Sequence, residues 1–305
     1  MKKEEVFVFL ESMSNHFKGD VDSKFDKYLE KAEKWISRQR GDELDAVKTY
    51  EKIASLALEF VDIDSGIFEY VASYPFVNGL YVQASENRGY DLNKGAYGNY
   101  YDLVVQLSNL ELPGGYTVYN NQILSNYSKE EIEFAGSLIR PERDLLFKYI
   151  GIFMLADRYL ATPKRGKVYE LPQERFLTIA MTLMQNETVD RMKKVEEAYW
   201  AMSNLYMTVA TPTLSNAGKS GGQLSSCFID VMDDSIDGIY GTNQDTARVS
   251  KAGGGQGVYI GKVRGLGASI QGRHGVSSGT VPWIRLLNQT AVSVDQLGKV
   301  LAPSY

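Results

Sequence analysis

Cysteine and histidine are almost missing from this sequence, and their scarcity excludes several kinds of chemistry. The chain has one cysteine, Cys227, and two histidines, His16 and His274, which stand far apart. A single cysteine cannot close an intrachain disulfide. No His-x-x-His or Glu-x-x-His pair is present to begin a metal site, and a nucleophile–base–orienter trio is equally hard to assemble. Any chemistry must therefore involve Cys227 or residues outside this chain.

The sequence also lacks an excess of basic residues and any long apolar run. Lys and Arg number 33 against 38 Asp and Glu, so the net charge of -5 argues against a nucleic-acid-binding surface. No apolar run approaches the ~18 residues of a membrane span, and the first residues lack the apolar segment of a secretion signal. With 44% hydrophobic residues, the chain is expected to be a soluble cytoplasmic protein with an ordinary core.

Apolar spacing over the first two-thirds of the chain is typical of helices. Stripes with three- and four-residue spacing occur at 25–36, 53–58, 176–184 and 189–206. We interpret these stripes as core packing. Pro141 and Pro172 stand where helices can begin, because proline is tolerated in the first turn. Residues 85–100, rich in Gly, Asn and Tyr, are predicted to form a loop.

After Thr211 the pattern changes to short strands, helices and glycine-rich turns. The predicted elements are a turn-rich segment at 211–222, a buried strand at 224–231, a helix after 233–235, a strand at 258–263, a five-glycine loop at 265–279 and a helix from Pro282. The first of these helices is expected to bury the side that carries Ile236, Ile239, Tyr240 and Ala247. The order strand, helix, strand, helix indicates the start of an α/β domain.

Two features of this region invite a functional interpretation, and each also has a structural one. The glycine run at 253–257 could bring backbone N–H groups close to a phosphate. It follows a helix and opens a strand, however, unlike a dinucleotide-binding fingerprint, so a tight turn is as good an explanation as a ligand cradle. Gly261-Lys262 is followed by Val263, which excludes a Walker loop. A lone cysteine in an apolar strand, such as Cys227, is more often a core residue than a reactive thiol.

Five short motifs occur in order between residues 210 and 296. They are ATPTLSNAG at 210–218, QLSSCF at 223–228, DDSIDGIY at 233–240, VSKAGGG at 249–255 and VDQ at 294–296. Their order and spacing resemble the large, catalytic subunit of class I ribonucleotide reductases, densely over about 149–299 and more weakly from about 53. The resemblance implies a mainly α N-terminal region followed by the first part of a ten-stranded α/β barrel, which stays incomplete here.

The resemblance also implies a division of the chain. We expect an N-terminal helical region at 1–140 without a recognisable ATP-cone, the reductase helical domain at 141–214 and the start of the barrel at 215–299. Residues 300–305 match nothing in the family. We expect them to arise from an intron, an intein junction or a split gene, and the chain to be an N-terminal fragment that is inactive alone.

The resemblance assigns roles to residues around Cys227. In the family, a radical on a later cysteine abstracts a ribose hydrogen, and a pair of cysteines then delivers two electrons while the 2′-hydroxyl leaves as water. Cys227 matches the first member of that pair, whose disulfide thioredoxin or glutaredoxin would reopen. Thr211, Ser226, Gly254 and Gly255 match positions that bind the nucleotide substrate together with this cysteine.

A second set of residues matches the allosteric specificity site of the family, where a deoxynucleoside triphosphate or ATP selects the substrate. The matching residues are Asp234, Ser235, Ile236, Lys251, Arg264, Gln271 and Gly272. In the family, the helix after Ser235 lies at the homodimer interface. Effector binding and dimerisation are therefore expected to be coupled.

The implied cofactors and partners lie outside this chain. It is expected to bind no cofactor or metal, to receive a radical from a metal-containing small subunit, and to need the remainder of the large subunit. The choice between diphosphate and triphosphate substrates stays open. The alternative function is a non-catalytic nucleotide-binding regulatory or dimerisation module. Because an incomplete barrel leaves strand edges and apolar faces uncovered, we expect poor solubility in isolation.

Overall fold

The computed structural model describes residues 1–19, 23–62, 66–163 and 167–294. The chain forms two compact units, Met1–Thr208 and Val209–Tyr305. The first unit is helical, and the second combines helices with a parallel pair of strands. No helix in the described ranges is long and apolar enough to cross a membrane.

The first unit consists of ten α-helices, two 3₁₀ helices and a short antiparallel strand pair in the described ranges. The helices are α1 (Lys3–His16), α2 (Ser23–Ser37), α3 (Ala46–Leu58), α4 (Phe68–Arg88), α5 (Tyr100–Asn109), α6 (Gln122–Asn126), α7 (Lys129–Ser137), α8 (Tyr149–Arg158), α9 (Pro172–Met184) and α10 (Arg191–Ser203). The 3₁₀ helices are Leu92–Lys94 and Pro141–Leu146, and the strands are β1 (Glu111–Leu112) and β2 (Tyr116–Thr117). Pro141 and Pro172 begin helices as predicted.

The core of the first four helices follows the predicted stripes. Phe25, Ala32 and Ile36 of α2 are buried, and so is Ile53 of α3, because three- and four-residue spacing places them on one side of each helix. Aromatic rings fill this core, with Phe60 stacked on Phe68 at a centroid distance of 5.5 Å.

Three predictions for this unit need correction. The predicted loop at 85–100 begins only after Arg88, where Gly89 ends α4 with a φ of 76°, and Tyr100 already belongs to α5. Helix α9 is buried all round from Pro172 to Thr182, rather than along one stripe, because it packs in the centre of the unit. The predicted stripe at 189–206 extends beyond both ends of α10, and its outermost residues, Val189 and Tyr206, are exposed.

Charged side chains are buried beside α9, a feature that the sequence did not reveal. Arg88 Nη1 donates to both carboxylate oxygens of Glu174 at 2.8 and 3.0 Å, and both side chains are almost fully buried. Arg175 Nη1 lies 3.3 Å from Oε1 of the equally buried Glu170. Buried charges persist in proteins when they are paired and hydrogen-bonded, and these pairs join α4 and the segment before α9 to α9 itself.

The second unit contains α11 (Thr211–Asn216), β3 (Cys227–Val231), α12 (Ile236–Lys251), β4 (Gly255–Tyr259) and α13 (Val281–Ser293). Strands β3 and β4 are parallel, with Cys227 opposite Gly255 and Val231 opposite Tyr259. Helix α12 connects them, so the predicted strand–helix–strand–helix order is confirmed. A small core of Met232, Ile239 and Val263 holds the unit together.

The details of this unit differ from the prediction in several places. The turn-rich segment begins with the short helix α11, and β4 starts within the glycine run and ends at Tyr259 instead of continuing to 263. Helix α12 buries Ile239 with Thr242, Thr246 and Ser250, whereas Ile236 and Tyr240 are exposed.

The strand around Cys227 is not buried, and α13 has no buried residue. Alternation along β3 turns Cys227, Ile229 and Val231 to one face, and no layer of described residues covers that face. Val294 lies just beyond α13. The other two residues of the VDQ motif, Asp295 and Gln296, and the predicted non-family residues 300–305 lie outside the described residues.

Candidate functional site

Cys227 is the first residue of β3 and is exposed, so the core-residue interpretation of this thiol is wrong. Its Sγ lies 3.5 Å from the hydroxyl of Ser226. The backbone N–H of Gly255 donates to the carbonyl oxygen of Ser226 at 2.6 Å, which places the start of β4 directly beside the thiol. The structure thus brings Ser226, Cys227 and Gly255 together at the same end of the strand pair.

The neighbouring glycines differ in how much space a side chain would have. A Cβ on Gly254 would lie 2.8 Å from Phe228 and 2.9 Å from Val249, so packing beneath the strand leaves no space for a side chain. A Cβ on Gly255 would meet nothing closer than 3.6 Å, and one on Gly257 nothing closer than 3.9 Å. Because Gly255 and Gly257 are exposed, a strip of bare backbone runs beside the thiol, and a ligand can approach it closely.

Thr211 stands at the first position of α11 and is exposed. Two hydrogen bonds fasten α11 to the segment that leads into β3. The hydroxyl of Thr213 donates to the carbonyl of Leu224 at 2.8 Å, and Nδ2 of Asn216 donates to the carbonyl of Gln223 at 2.9 Å. Thr211 is therefore held in the same local assembly as the residues around the thiol.

A second cluster forms where α12 begins. Arg264 Nε donates to both carboxylate oxygens of Asp234 at 3.0 and 2.8 Å, and its backbone N–H adds a third bond at 3.2 Å. The hydroxyl of Ser235 accepts from the N–H of Gly238 at 3.0 Å, so Ser235 caps the start of α12. Ile236 follows and is 64% exposed.

The loop after β4 is tied to this cluster and ends in a tight turn. Gln271 and Gly272 have φ values of 49° and 80°, and Ile270 and Arg273 exchange two backbone hydrogen bonds of 3.0 Å across them. Two successive residues with positive φ are characteristic of a hairpin turn, which presents Gln271 and Gly272 at an exposed tip.

Lys251 is the predicted effector residue that the structure does not bring together with the others. It lies in the last turn of α12, a helix of 16 residues that begins next to Ser235. At 1.5 Å per residue, Ser235 and Lys251 are about 24 Å apart along the helix axis. One protomer alone cannot place both against the same small nucleotide.

The cluster also contains an ion pair that the sequence did not reveal. Lys262 Nζ lies 2.9 Å from Oδ1 of Asp233, and the hydrogen bond raises the pKa of the lysine. The two residues are 29 positions apart in sequence, and no local pattern links them. In the described ranges, no group of three or more His, Cys, Asp or Glu side chains is placed to hold a metal ion.

Two family descriptions match the second half of the chain. "Ribonucleotide reductase, all-alpha domain" matches residues 145–222, and "Ribonucleotide reductase, barrel domain" matches residues 225–300. Together they cover about half of the sequence.

Curated relatives carry matching names. The ribonucleoside-diphosphate reductase subunit alpha of Treponema pallidum is 48% identical over 200 residues, which is 66% of this chain and 23% of the relative. The subunit alpha of Helicobacter pylori is 36% identical over 258 residues, 84% of this chain and 30% of the relative. This chain therefore spans between about a quarter and a third of the length of these relatives.

Among solved structures, the Actinobacillus ureae class Id ribonucleotide reductase alpha subunit matches with 25% identity and a TM-score of 0.37, over 47% of this chain and 25% of that one. The predicted fold class is confirmed, since a helical region precedes the first elements of a barrel domain and the described strands close no sheet. The chain belongs to the ribonucleotide reductase large-subunit family.

Proposed function

We propose that this chain is the N-terminal part of the catalytic subunit of a ribonucleoside-diphosphate reductase, which reduces ribonucleotides to deoxyribonucleotides for DNA synthesis. The observation that carries the proposal is the exposed thiol of Cys227 at the end of a parallel strand pair, beside Ser226 and the bare backbone of Gly255. The names of the relatives support the same assignment. The domain limits at 140, 214 and 299 and a cytoplasmic location belong to this proposal.

Cys227 would supply one of two reducing thiols. Two thiols give up two electrons and two protons as they close to a disulfide, and the ribose 2′-hydroxyl leaves as water. The second thiol and the radical cysteine would come from the rest of the subunit, the radical from a small metal-containing subunit, and the disulfide would be reopened by thioredoxin or glutaredoxin. An exposed position suits Cys227 to this role, because a buried thiol could meet neither partner nor substrate.

The substrate would lie along the exposed face at the start of β3 and β4. The hydroxyls of Thr211 and Ser226 offer donors and acceptors to a ribose, and the bare backbone of Gly255 allows a phosphate or sugar to approach closely. Gly254, packed against Phe228 and Val249, would hold that backbone in place. This chain itself would bind no cofactor.

The cluster at the start of α12 would bind the effector, a deoxynucleoside triphosphate or ATP. Asp234 and the cap Ser235 can accept hydrogen bonds from a sugar, Arg264 can pair with phosphate, and the tip at Gln271 and Gly272 would signal to the substrate side. Arg264 would have to exchange part of its bonding to Asp234 for the effector.

A homodimer would bring a Lys251 side chain to this site. If two copies of α12 pack antiparallel, the end of one helix lies beside the start of the other, and the partner protomer's lysine joins the cluster. The exposed Ile236 and Tyr240, one helical turn apart on α12, provide apolar surface for such packing.

A chimeric subunit tests the catalytic proposal. Residues 1–294 would replace the matching part of the Treponema pallidum relative, and deoxynucleotide formation would be assayed with the radical-generating subunit of that organism and thioredoxin. We expect the chimera to turn over and Cys227→Ser to lower the rate at least a hundredfold, because serine cannot close a disulfide. Ser225→Ala, two residues away, is the matched control and should retain activity. Equal rates for Cys227→Ser and its parent would contradict the proposal.

The second candidate is a regulatory or dimerisation module without chemistry. It is favoured by the Asp234–Arg264 pair, which is formed without any residue from outside the second unit. Equilibrium dialysis of the whole chain with dTTP and ATP would show binding that Asp234→Ala weakens. Nucleotide binding combined with a chimera that turns over equally well with Cys227→Ser would favour this module over the enzyme.

A further inference from the structure

We propose that a groove between α1 and α2 is a docking site for a basic amphipathic helix of a partner protein. The groove lies in the first unit and has a volume of about 720 Å³. Its lining combines exposed apolar side chains with carboxylates, and it contains none of the residues assigned above to substrate or effector. The proposal is therefore independent of the reductase assignment.

The apolar part of the groove belongs to a helix face that nothing described covers. Phe7 and Val8 of α1 are 38% and 60% exposed, although the helix already buries Val6, Leu10 and Met13 against the core. A surface helix needs only one buried stripe, so Phe7 and Val8 form additional apolar surface. Leu29 of α2 continues it on the opposite wall.

The rim of the groove is acidic. Glu4 and Glu11 lie one helical turn before and after the apolar pair. Glu33 of α2 and Asp42 of the segment after α2 also line the groove. None of these four carboxylates forms an ion pair within the described ranges. The lining lysine, Lys3, directs its Nζ to the carbonyl of Gln39 at 2.7 Å. Four carboxylates against one lysine leave the groove with net negative charge around an apolar strip.

The walls of the groove are fixed before any partner arrives. The N-terminal amine of Met1 donates to the carbonyl of Leu44 at 3.1 Å, and the N–H of Leu44 donates back to Met1 at 2.8 Å. The N–H of Lys3 donates to the carbonyl of Asp42 at 3.0 Å. These bonds fasten the start of α1 to the segment after α2, so little ordering is needed on binding.

Charge and shape together select the occupant. A partner helix with apolar residues at i, i+3, i+4 and i+7 would fill the strip, and lysines or arginines flanking that stripe would face the carboxylates. An acidic or neutral helix would leave those charges unpaired or repelled. A basic amphipathic helix is thus the occupant that the groove fits.

The test uses the complete chain and a fluorescent peptide of about 18 residues, with leucines at helical spacing and lysines beside them. Anisotropy titrations would compare it with a scrambled peptide of the same composition and with a version in which glutamates replace the lysines. We expect saturable binding of the lysine peptide alone, and binding that weakens as salt rises, because exposed charges are screened.

Variants of the chain locate the binding surface. Glu4→Lys with Glu11→Lys should weaken binding of the lysine peptide about tenfold, and Val8→Ser should weaken it without changing the salt dependence. Glu196→Lys with Glu197→Lys on α10 makes the same change of charge elsewhere and is the control. Circular dichroism would confirm that each variant folds, and hydrogen exchange should slow in α1 when the peptide binds.

Four results would overturn the proposal. They are binding of the glutamate peptide as tight as that of the lysine peptide, equal loss in the α10 control, absence of saturable binding up to about 1 mM peptide, and a dimer in sedimentation that Val8→Ser dissociates. The last result would assign the groove to a second copy of this chain.

Discussion

At the scale of single residues, the first unit is marked by a carboxyl that is buried without a cation. Asp144 is fully buried and accepts hydrogen bonds from the hydroxyls of Tyr81 and Tyr97, each at 2.7 Å, and from Nε2 of Gln173 at 2.8 Å. All three donors are neutral. Burial raises the pKa of Asp144 to about 6, against the lowering effect of these bonds.

This raised pKa predicts a pH dependence of stability. The folded chain holds the proton of Asp144 more tightly than the unfolded chain does. The stabilisation of the folded state by this protonated carboxyl is therefore complete below about pH 4 and is lost as pH rises through about 6. We expect the free energy of unfolding to fall by roughly 3 kcal/mol from this group by neutral pH.

Denaturant titrations between pH 4 and 7 would measure this dependence, because the loss runs from the unfolded-state pKa to the folded-state pKa of about 6. Asp144→Asn should reduce the slope, since the amide cannot ionise, while the part that comes from Glu174, whose pKa burial raises to about 7, remains. Glu196→Gln, at an exposed carboxyl of α10, should leave the slope unchanged. An identical slope in Asp144→Asn and the parent would show that the carboxyl is not responsible.

The Arg88–Glu174 pair carries a second prediction at this scale. Burial alone would lower the pKa of Arg88, but attraction to Glu174 outweighs it and raises the pKa. Arg88→Met should destabilise the chain by about 3–5 kcal/mol, because it removes the cation from the buried carboxyl of Glu174, whose pKa burial already raises to about 7. Lys193→Met breaks an exposed pair, with side chains 71% and 66% exposed, and should cost less than about 1 kcal/mol. Equal losses for the two variants, measured by urea unfolding, would refute the distinction.

At the scale of elements, the strand pair depends on close packing at one glycine. Gly254 precedes β4 and touches Phe228 and Val249, whereas Gly255 faces open space beside Cys227. Helix α12 and β4 are thus held together at the point where the proposed substrate site begins.

Alanine substitutions separate these two glycines. Gly254→Ala should lower stability by about 1–3 kcal/mol through overpacking and speed amide exchange in β3 and β4. Gly255→Ala should change stability by less than about 1 kcal/mol, because its methyl group meets no close neighbour. Hydrogen exchange followed by mass spectrometry checks both, and faster exchange in Gly255→Ala than in Gly254→Ala would reverse the assignment.

Elements were predictable from the sequence where local patterns dominate. The helices at 25–36 and 53–58 follow from apolar spacing, and the start of α12 follows from the capping residue Ser235. The limits of β4 were not predictable, because a run of glycines is typical of a turn in sequence. Only the pairing with β3 makes these glycines part of a strand. Cys227 was identified as a site residue only through motif resemblance, and nothing local indicated its exposure.

At the scale of the whole molecule, the second unit exposes much of its apolar surface. Ile229 is 89% exposed on the same strand face as Cys227, and Leu266 is 83% exposed. Such surface is unfavourable in water and favours association. The predicted poor solubility of the isolated chain remains a prediction, and this face is where we expect it to originate.

Ile229→Thr tests that origin. Threonine keeps the β-branched shape but reduces the apolar surface, so dye binding and light scattering of the whole chain should fall while its stability changes by less than about 0.5 kcal/mol. Ile239→Thr, at a buried position of α12, should instead destabilise the second unit. Unchanged scattering in Ile229→Thr would place the cause of aggregation elsewhere.

The sequence by itself determined the helical character of the first unit, the strand–helix order of the second and the family to which the motifs point, because periodicity, caps and short motifs are local. Only the tertiary structure decided that Asp144 and Glu174 are buried, that Arg264 pairs with Asp234, and that Cys227 is exposed. Burial and pairing depend on which distant segments pack against a residue, and residue spacing within one element carries no information about them.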